Sequence, residues 1–218
     1  MITRLILIRH GITGWNKQKR YCGRKDISLS SEGKIQAAKL RRRLRSVSFD
    51  RVYSSDRKRA MQTARIIFKG FKITRIKGLK ELNFGMLEGL THEQIMKRHA
   101  LIYQKWLRDP FRNHIPGAET MSAFKKRANT AIKKIARLHP GETIAIVCHA
   151  GTIAIYVYSI LKGRNFWRYV PSAGTITVVE YKNGKPKIKH RDGSQVEAEL
   201  SPGKGQFKIG LRTVPKKE

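Results

Sequence analysis

Leu5-Ile6-Leu7-Ile8-Arg9-His10-Gly11 is an apolar run of strand character that ends abruptly in an arginine, a histidine and a glycine. Extended back to Ile2 and broken only by Thr3 and Arg4, the run has the length and β-branched content of a buried strand. In open α/β sheets, ligands bind in the crevice beyond the carboxyl ends of the strands. Arg9 and His10 are expected at that edge, with Gly11 letting the backbone turn sharply beside them. A second such run, Thr143-Ile144-Ala145-Ile146-Val147-Cys148, stops in His149-Ala150-Gly151. Two strands that each end in a histidine, with a glycine close behind, point to one shared polar edge.

At 218 residues the chain can bury a substantial core, and a hydrophobic content of 40% suits one globular α/β domain. Its two cysteines, Cys22 and Cys148, stand at no metal-like spacing. That argues against a disulfide framework and a zinc site, and is compatible with a reducing cytosol. Ile2–Ile8 is too short for a signal peptide and carries Arg4 in its middle. Ile153–Leu161 is too short to span a bilayer. The expectation is a cytoplasmic protein with no membrane span. The charge is unusual: 47 Lys plus Arg stand against 15 Asp plus Glu, a formal +32. Such a field attracts phosphorylated metabolites, nucleic acid or acidic surfaces, although dispersed lysines also read as solvated helix faces.

After Gly11, a basic loop runs from Thr13 past Trp15 and Asn16 through Lys25 to Asp26, and could hold an anion. Ser30-Ser31-Glu32 opens a helix through Arg45 that buries Ala37, Leu40 and Leu44. Its arginine cluster lacks an aromatic residue for base stacking and is read as a solvated face. A short strand over Phe49 to Tyr53 leads into Ser54-Ser55-Asp56 and a helix to about Phe68. Arg57 and Arg59 lie in that helix's first turn, where a bound anion would offset their opposition to the macrodipole. Phe71 to Ile76 is a third strand candidate. The loop Leu79–Gly89 holds two carboxylates, Glu81 and Glu88, beside apolar residues. A partly buried carboxyl there can stay protonated and act as a general acid. Pro116–Thr120 turns into a helix with Phe124, Ala128, Ala131, Ile132, Ile135 and Leu138 on one face. An apolar helix follows His149, then a strand from Thr175 to Tyr181 and an Asn183-Gly184 hairpin into Lys185–His190. Residues 193–218 read as a basic, polar appendage to a domain over 1–192.

Together these pieces resemble the histidine phosphatase superfamily, the phosphoglycerate-mutase-like enzymes. The resemblance rests on Arg9-His10-Gly11 with Trp15-Asn16, on Leu29–Gly33 and on Arg59-Ala60-Met61-Gln62-Thr63-Ala64. It continues through Glu81, Phe84-Gly85, Glu88-Gly89, Pro116-Gly117 with Glu119, and Val147–Gly151. It implies a three-layer α/β/α sandwich around a mainly parallel sheet. It also implies phosphoryl transfer through a phosphohistidine, with His10 as nucleophile. Arg9, Asn16, Arg59, His149 and Ala150 would surround the phosphate, and Glu81 would protonate the leaving group. Glu88 matches a supporting position, and Glu119 is either functional or a helix N-terminal carboxylate. No cofactor or metal is implied, because guanidinium groups can take a metal's place.

Ile12 replaces the glutamate that many relatives carry, which bears on substrate preference. The family's cofactor-dependent mutases carry a longer insertion after the acid-bearing loop. Residues 90–115 here are compact, which favours an acid-phosphatase-type phosphomonoesterase with a phosphorylated small-molecule substrate. The alternatives are a phosphoglycerate mutase and an anion- or nucleic-acid-binding protein on a phosphatase fold; nucleic acid is not the favoured partner.

Overall fold

In the computed structural model, whose described residues are 1–163 and 165–192, the opening run is strand β1 (Ile2–Arg9). It lies centrally in a six-stranded sheet of order β3-β2-β4-β1-β5-β6. β1 pairs in parallel with β4 (Thr143–Cys148), from Arg4 opposite Thr143 to Arg9 opposite Cys148. β4 also pairs in parallel with β2 (Arg51–Ser54), which pairs in parallel with β3 (Ile73–Arg75). On the other side, β5 (Ile176–Lys182) runs antiparallel to β1, and β6 (Lys185–Arg191) antiparallel to β5.

Both faces of the sheet are covered, which is why β1 and β4 read as near-continuous apolar runs rather than alternating ones. Ile6, Ile8, Val52, Ala145 and Val147 pack against α2 (Ser31–Arg43) and α3 (Lys58–Ile67) through Ala37, Leu40, Ala60 and Ala64. Leu5, Leu7, Ile144 and Ile146 meet Ile132, Ile135, Ile153 and Tyr156 of α5 (Met121–Leu138) and α6 (Ala150–Leu161). A third cluster joins Ile95, Tyr103 and Trp106 of α4 (His92–Arg108) to Phe124 and Ile155. The result is the expected three-layer sandwich on a mainly parallel sheet.

The differences are local. Phe49 precedes its strand and packs edge-on against Phe68, with ring centroids 5.0 Å apart. Phe71 stays outside β3 because Gly70, at φ +90°, turns the chain there. Leu138, read as part of the buried stripe of α5, is exposed at its last turn. No helix among the described residues is long and apolar enough to cross a membrane. The appendage 193–218 lies outside the described residues.

Candidate active site

Parallel pairing brings three strand ends together. The His10 N–H donates to the Cys148 carbonyl (3.1 Å), and the Ser55 N–H donates to the Val147 carbonyl (2.9 Å). His10, His149 and Ser55 therefore stand side by side, and the two imidazoles meet edge to face with centroids 5.2 Å apart. Both are buried, His149 completely. His10 Nδ1 lies 2.8 Å from the Gly11 carbonyl, which can only accept, so that nitrogen carries the proton. Nε2 then offers its lone pair and accepts a bond from Arg59 Nε at 3.1 Å. Burial, and after it the charges of Arg59 and Arg9, hold the His10 pKa well below the usual histidine value. The ring is neutral at pH 7, the state a nucleophile needs.

His149 is neutral for related reasons: burial first, then Arg59. Its Nε2 lies 2.8 Å from Ser55 Oγ. The Ser55 hydroxyl accepts the Arg57 N–H (3.4 Å) and has no other acceptor among the described residues, so its proton is assigned to His149 Nε2. The imidazole proton is left on Nδ1, buried and without a hydrogen-bond partner. A buried N–H of this kind suits an anion, and the Nε of Arg9, whose charge also acts on His149, is equally unpartnered.

Arg59 enters from the first turn of α3 and is fully buried. Besides His10, its guanidinium donates to the carbonyls of Gly23 (2.8 Å), Lys25 (2.8 Å) and Cys22 (3.4 Å). It thus straps the basic loop over the site. Glu88 holds the same loop by accepting the N–H groups of Arg24 (2.7 Å) and Lys25 (3.0 Å), a supporting role as expected. Arg9 donates through Nη1 to the Pro171 carbonyl. Asn16 is turned inward on its own helix. Its Oδ1 accepts the Thr13 N–H (3.0 Å) in a capping box on α1 (Gly14–Lys17), leaving Nδ2 as its donor. Gly11 does not occupy the left-handed region, so the chain's path there does not draw on a glycine-only backbone conformation. Its constraint is close approach: a Cβ there would lie 2.5 Å from the Gly33 carbonyl oxygen, and one on Gly33 would lie 2.1 Å from that of Ile12.

Glu81 is buried and reaches the start of α6, where Oε2 accepts the Gly151 N–H and Oε1 the Leu82 N–H, each at 2.9 Å. Burial pushes its carboxyl above the usual range, against those two N–H groups and the Arg59 and Arg9 charges. The segment carrying it is gripped by Arg127 of α5. That side chain donates to the carbonyls of Gly78 (3.0 Å), Lys80 (2.7 Å) and Glu81 (2.8 Å). Glu119, just before α5, orients Arg127 through two bonds of 2.5 and 2.7 Å and so has an ion-pair role there. Arg127 had no signal in the sequence, lying among the lysines of α5, and Ser55 stood out only as part of the Ser54-Ser55-Asp56 stretch that follows a strand candidate.

A Cβ on Gly151 would lie 2.3 Å from Glu81 Oε1. Gly151→Ala is therefore expected to displace that carboxyl and lower kcat about 100-fold while the protein stays folded. An unchanged kcat with a normal circular dichroism spectrum would remove Glu81 from the reaction.

Among the described residues, no group of three or more His, Cys, Asp or Glu is placed to hold a metal ion. The site instead gathers two guanidiniums, two neutral imidazoles and one protonatable carboxyl. Residues 5–192 match the family model described as histidine phosphatase superfamily, branch 1. Phosphoserine phosphatase 1 of Hydrogenobacter thermophilus is 28% identical over 192 residues, 86% of this chain and 90% of that protein. Phosphoglycerate mutase-like protein 4 of Arabidopsis thaliana is 32% identical over 154 residues, 68% of this chain and 67% of that protein. Among solved structures, the α-ribazole phosphatase of Shigella flexneri superposes with a TM-score of 0.80 at 25% identity, covering 96% of this chain and all of that one, 100%.

Proposed function

Because the chain belongs to the histidine phosphatase superfamily, we propose that it hydrolyses phosphomonoesters without a metal ion, through a phosphohistidine at Nε2 of His10. The observation that carries this reading is the His10 tautomer, whose lone pair meets the buried Arg59 guanidinium. The Nε2 atom attacks phosphorus as the ester P–O bond breaks, and the Glu81 proton goes to the departing alkoxide oxygen. Arg9, Arg59 and the Nδ1–H of His149 stabilise the charge on the equatorial oxygens. The Asn16 amide and the Ala150 N–H at the start of α6 add neutral donors. Glu81, now a carboxylate, takes a proton from water as the water oxygen attacks phosphorus. The N–P bond breaks, phosphate leaves, and both groups regain their starting protonation states.

Hydrolysis is favoured over a mutase reaction by the short run 109–120 between α4 and α5. The names of the phosphoserine and α-ribazole phosphatase relatives support the same reading. The deciding experiment is phosphate release from phosphoserine, α-ribazole phosphate and 3-phosphoglycerate in the presence of EDTA. Release from at least one is expected to be unaffected by the chelator. Loss of activity in EDTA would overturn metal independence. Conversion of 3-phosphoglycerate to 2-phosphoglycerate without release would establish the mutase.

The active form needs His10 neutral and Glu81 protonated. With ordinary pKa values, Glu81 would lose its proton before His10 became neutral, leaving that form scarce. Burial moves the two toward each other, lowering His10 and raising Glu81, and so enlarges the share of that form. The profile of kcat/KM is therefore expected to fall on the acid side only well below pH 6.5, as His10 protonates, and on the alkaline side as Glu81 ionises. Glu81→Gln is expected to remove the alkaline limb and to slow alkyl phosphates far more than activated aryl phosphates. Equal slowing of both would exclude the acid role.

A further inference from the structure

The charge of +32 is far more than a phosphate pocket requires, and on α5 it is unopposed by any acid of the helix. Helix α5 has six Lys or Arg in its 18 residues and no Asp or Glu. Arg127 is consumed by the Glu81 segment, but Lys126, Lys133, Lys134 and Arg137 are exposed and enter no ion pair among the described residues. From Lys126 to Arg137 they span about 16 Å of helix axis. Lys133, Lys134 and Arg137 rim a cleft of about 720 Å³ between α5 and the β5–β6 turn, floored by Thr3, Pro140 and Tyr181. Among the described residues, no carboxylate lines it. The acids that flank its lining in sequence are already occupied, Glu142 by Arg51 and His139, and Glu180 by Arg4 and Lys189.

We propose that this cleft and the α5 face form a second binding site, for the backbone of single-stranded nucleic acid. The four cations along this span can each meet a phosphate of a bound strand. The cleft has room for a base, with the half-buried Tyr181 at its floor. A concave floor suits an inserted strand better than the flat surface of a membrane. The site stands at the amino ends of β1 and β4, whereas His10 stands at their carboxyl ends. Thr3 and His10 are separated by about 23 Å of strand. Nucleic acid and phosphomonoester therefore do not compete, and the inference does not depend on the chemistry proposed for His10.

The test is fluorescence anisotropy of labelled oligo(U) against the full chain over a salt series. Three proteins are compared: the wild type, Lys133→Glu/Lys134→Glu/Arg137→Glu, and the control Lys39→Glu/Arg41→Glu/Arg42→Glu on α2, which lies across the sheet. The α5 reversal is expected to weaken binding at least tenfold and to lower the slope of log Kd against log salt by about 2. The control is expected to change binding far less, and both variants should keep the wild-type circular dichroism spectrum and phosphatase rate. Equal weakening by the two variants would reduce the effect to net charge and overturn the proposal, as would no binding at about 0.1 M salt. Binding of the α5 face to phosphatidylserine vesicles but not to oligo(U) would assign it to a membrane and overturn it too.

Discussion

His10→Ala is expected to lower kcat/KM for every phosphomonoester by at least about 10⁴-fold, since no other group in the site can take over covalent catalysis. The same variant should accumulate no acid-labile phosphoprotein when quenched during turnover, whereas the wild type should. His149 is the other imidazole within reach, but its Nε2 is tied to Ser55 and its proton stands on Nδ1. It is therefore suited to donate rather than attack. His149→Ala should keep the phosphoprotein and slow both its formation and its hydrolysis. If the label survived in His10→Ala and vanished in His149→Ala, the two roles would have to be exchanged. Added imidazole is expected to restore part of the His10→Ala turnover on an activated aryl phosphate, since the space vacated lies beside Arg59.

Arg59→Ala is expected to combine two losses. The transition state loses a buried cation, worth about 10²–10³-fold in kcat for a single well-placed donor and more for a forked guanidinium. The loop over the site loses its strap, because the carbonyls of Gly23 and Lys25 each give up a bond of 2.8 Å. The Gly23 carbonyl is left buried and unsatisfied, at a cost of about 1–3 kcal/mol, so the urea midpoint should fall. Relief of repulsion from Arg9 offsets part of that fall. Arg59→Lys keeps the charge but cannot reproduce the fork, and it should recover stability better than rate. A kcat/KM within about tenfold of wild type for Arg59→Ala would show that the phosphate is not held there.

Much of this architecture was legible in the chain, for reasons that differ by element. β1 and β4 are buried on both faces, so their apolar runs are unbroken, and the polar residues ending them stand out. The buried positions of α5 follow the helical period because one face packs on the sheet and α6. Arg127 was hidden because its importance comes from carbonyls of a segment 46 to 49 residues away, while locally it is one cation among several. Gly11 was recognisable as essential, but the reason was not. A glycine needed for close contact and one needed for a turn look alike until the partner, Gly33, is in place. Glu119 was ambiguous because a carboxylate before a helix suits the dipole as well as a functional role, and its bonds to Arg127 join residues that only the fold brings together.

The two edge strands have a consequence for how copies of this protein treat one another. An exposed edge offers unpaired N–H and C=O groups to any passing strand. β3 is only three residues long, Ile73–Arg75, too short a template for stable addition. β6 is longer, but its sequence is Lys-Pro-Lys-Ile-Lys-His-Arg: Pro186 lacks a donor, and Lys185 and Lys187 are exposed. An incoming copy would have to lay its own lysines against these. The positive surface therefore also acts as an insulator, keeping crowded copies from aggregating edge to edge. Neutralising Lys185 and Lys187 would strip that protection from a strand whose fold and chemistry stay intact.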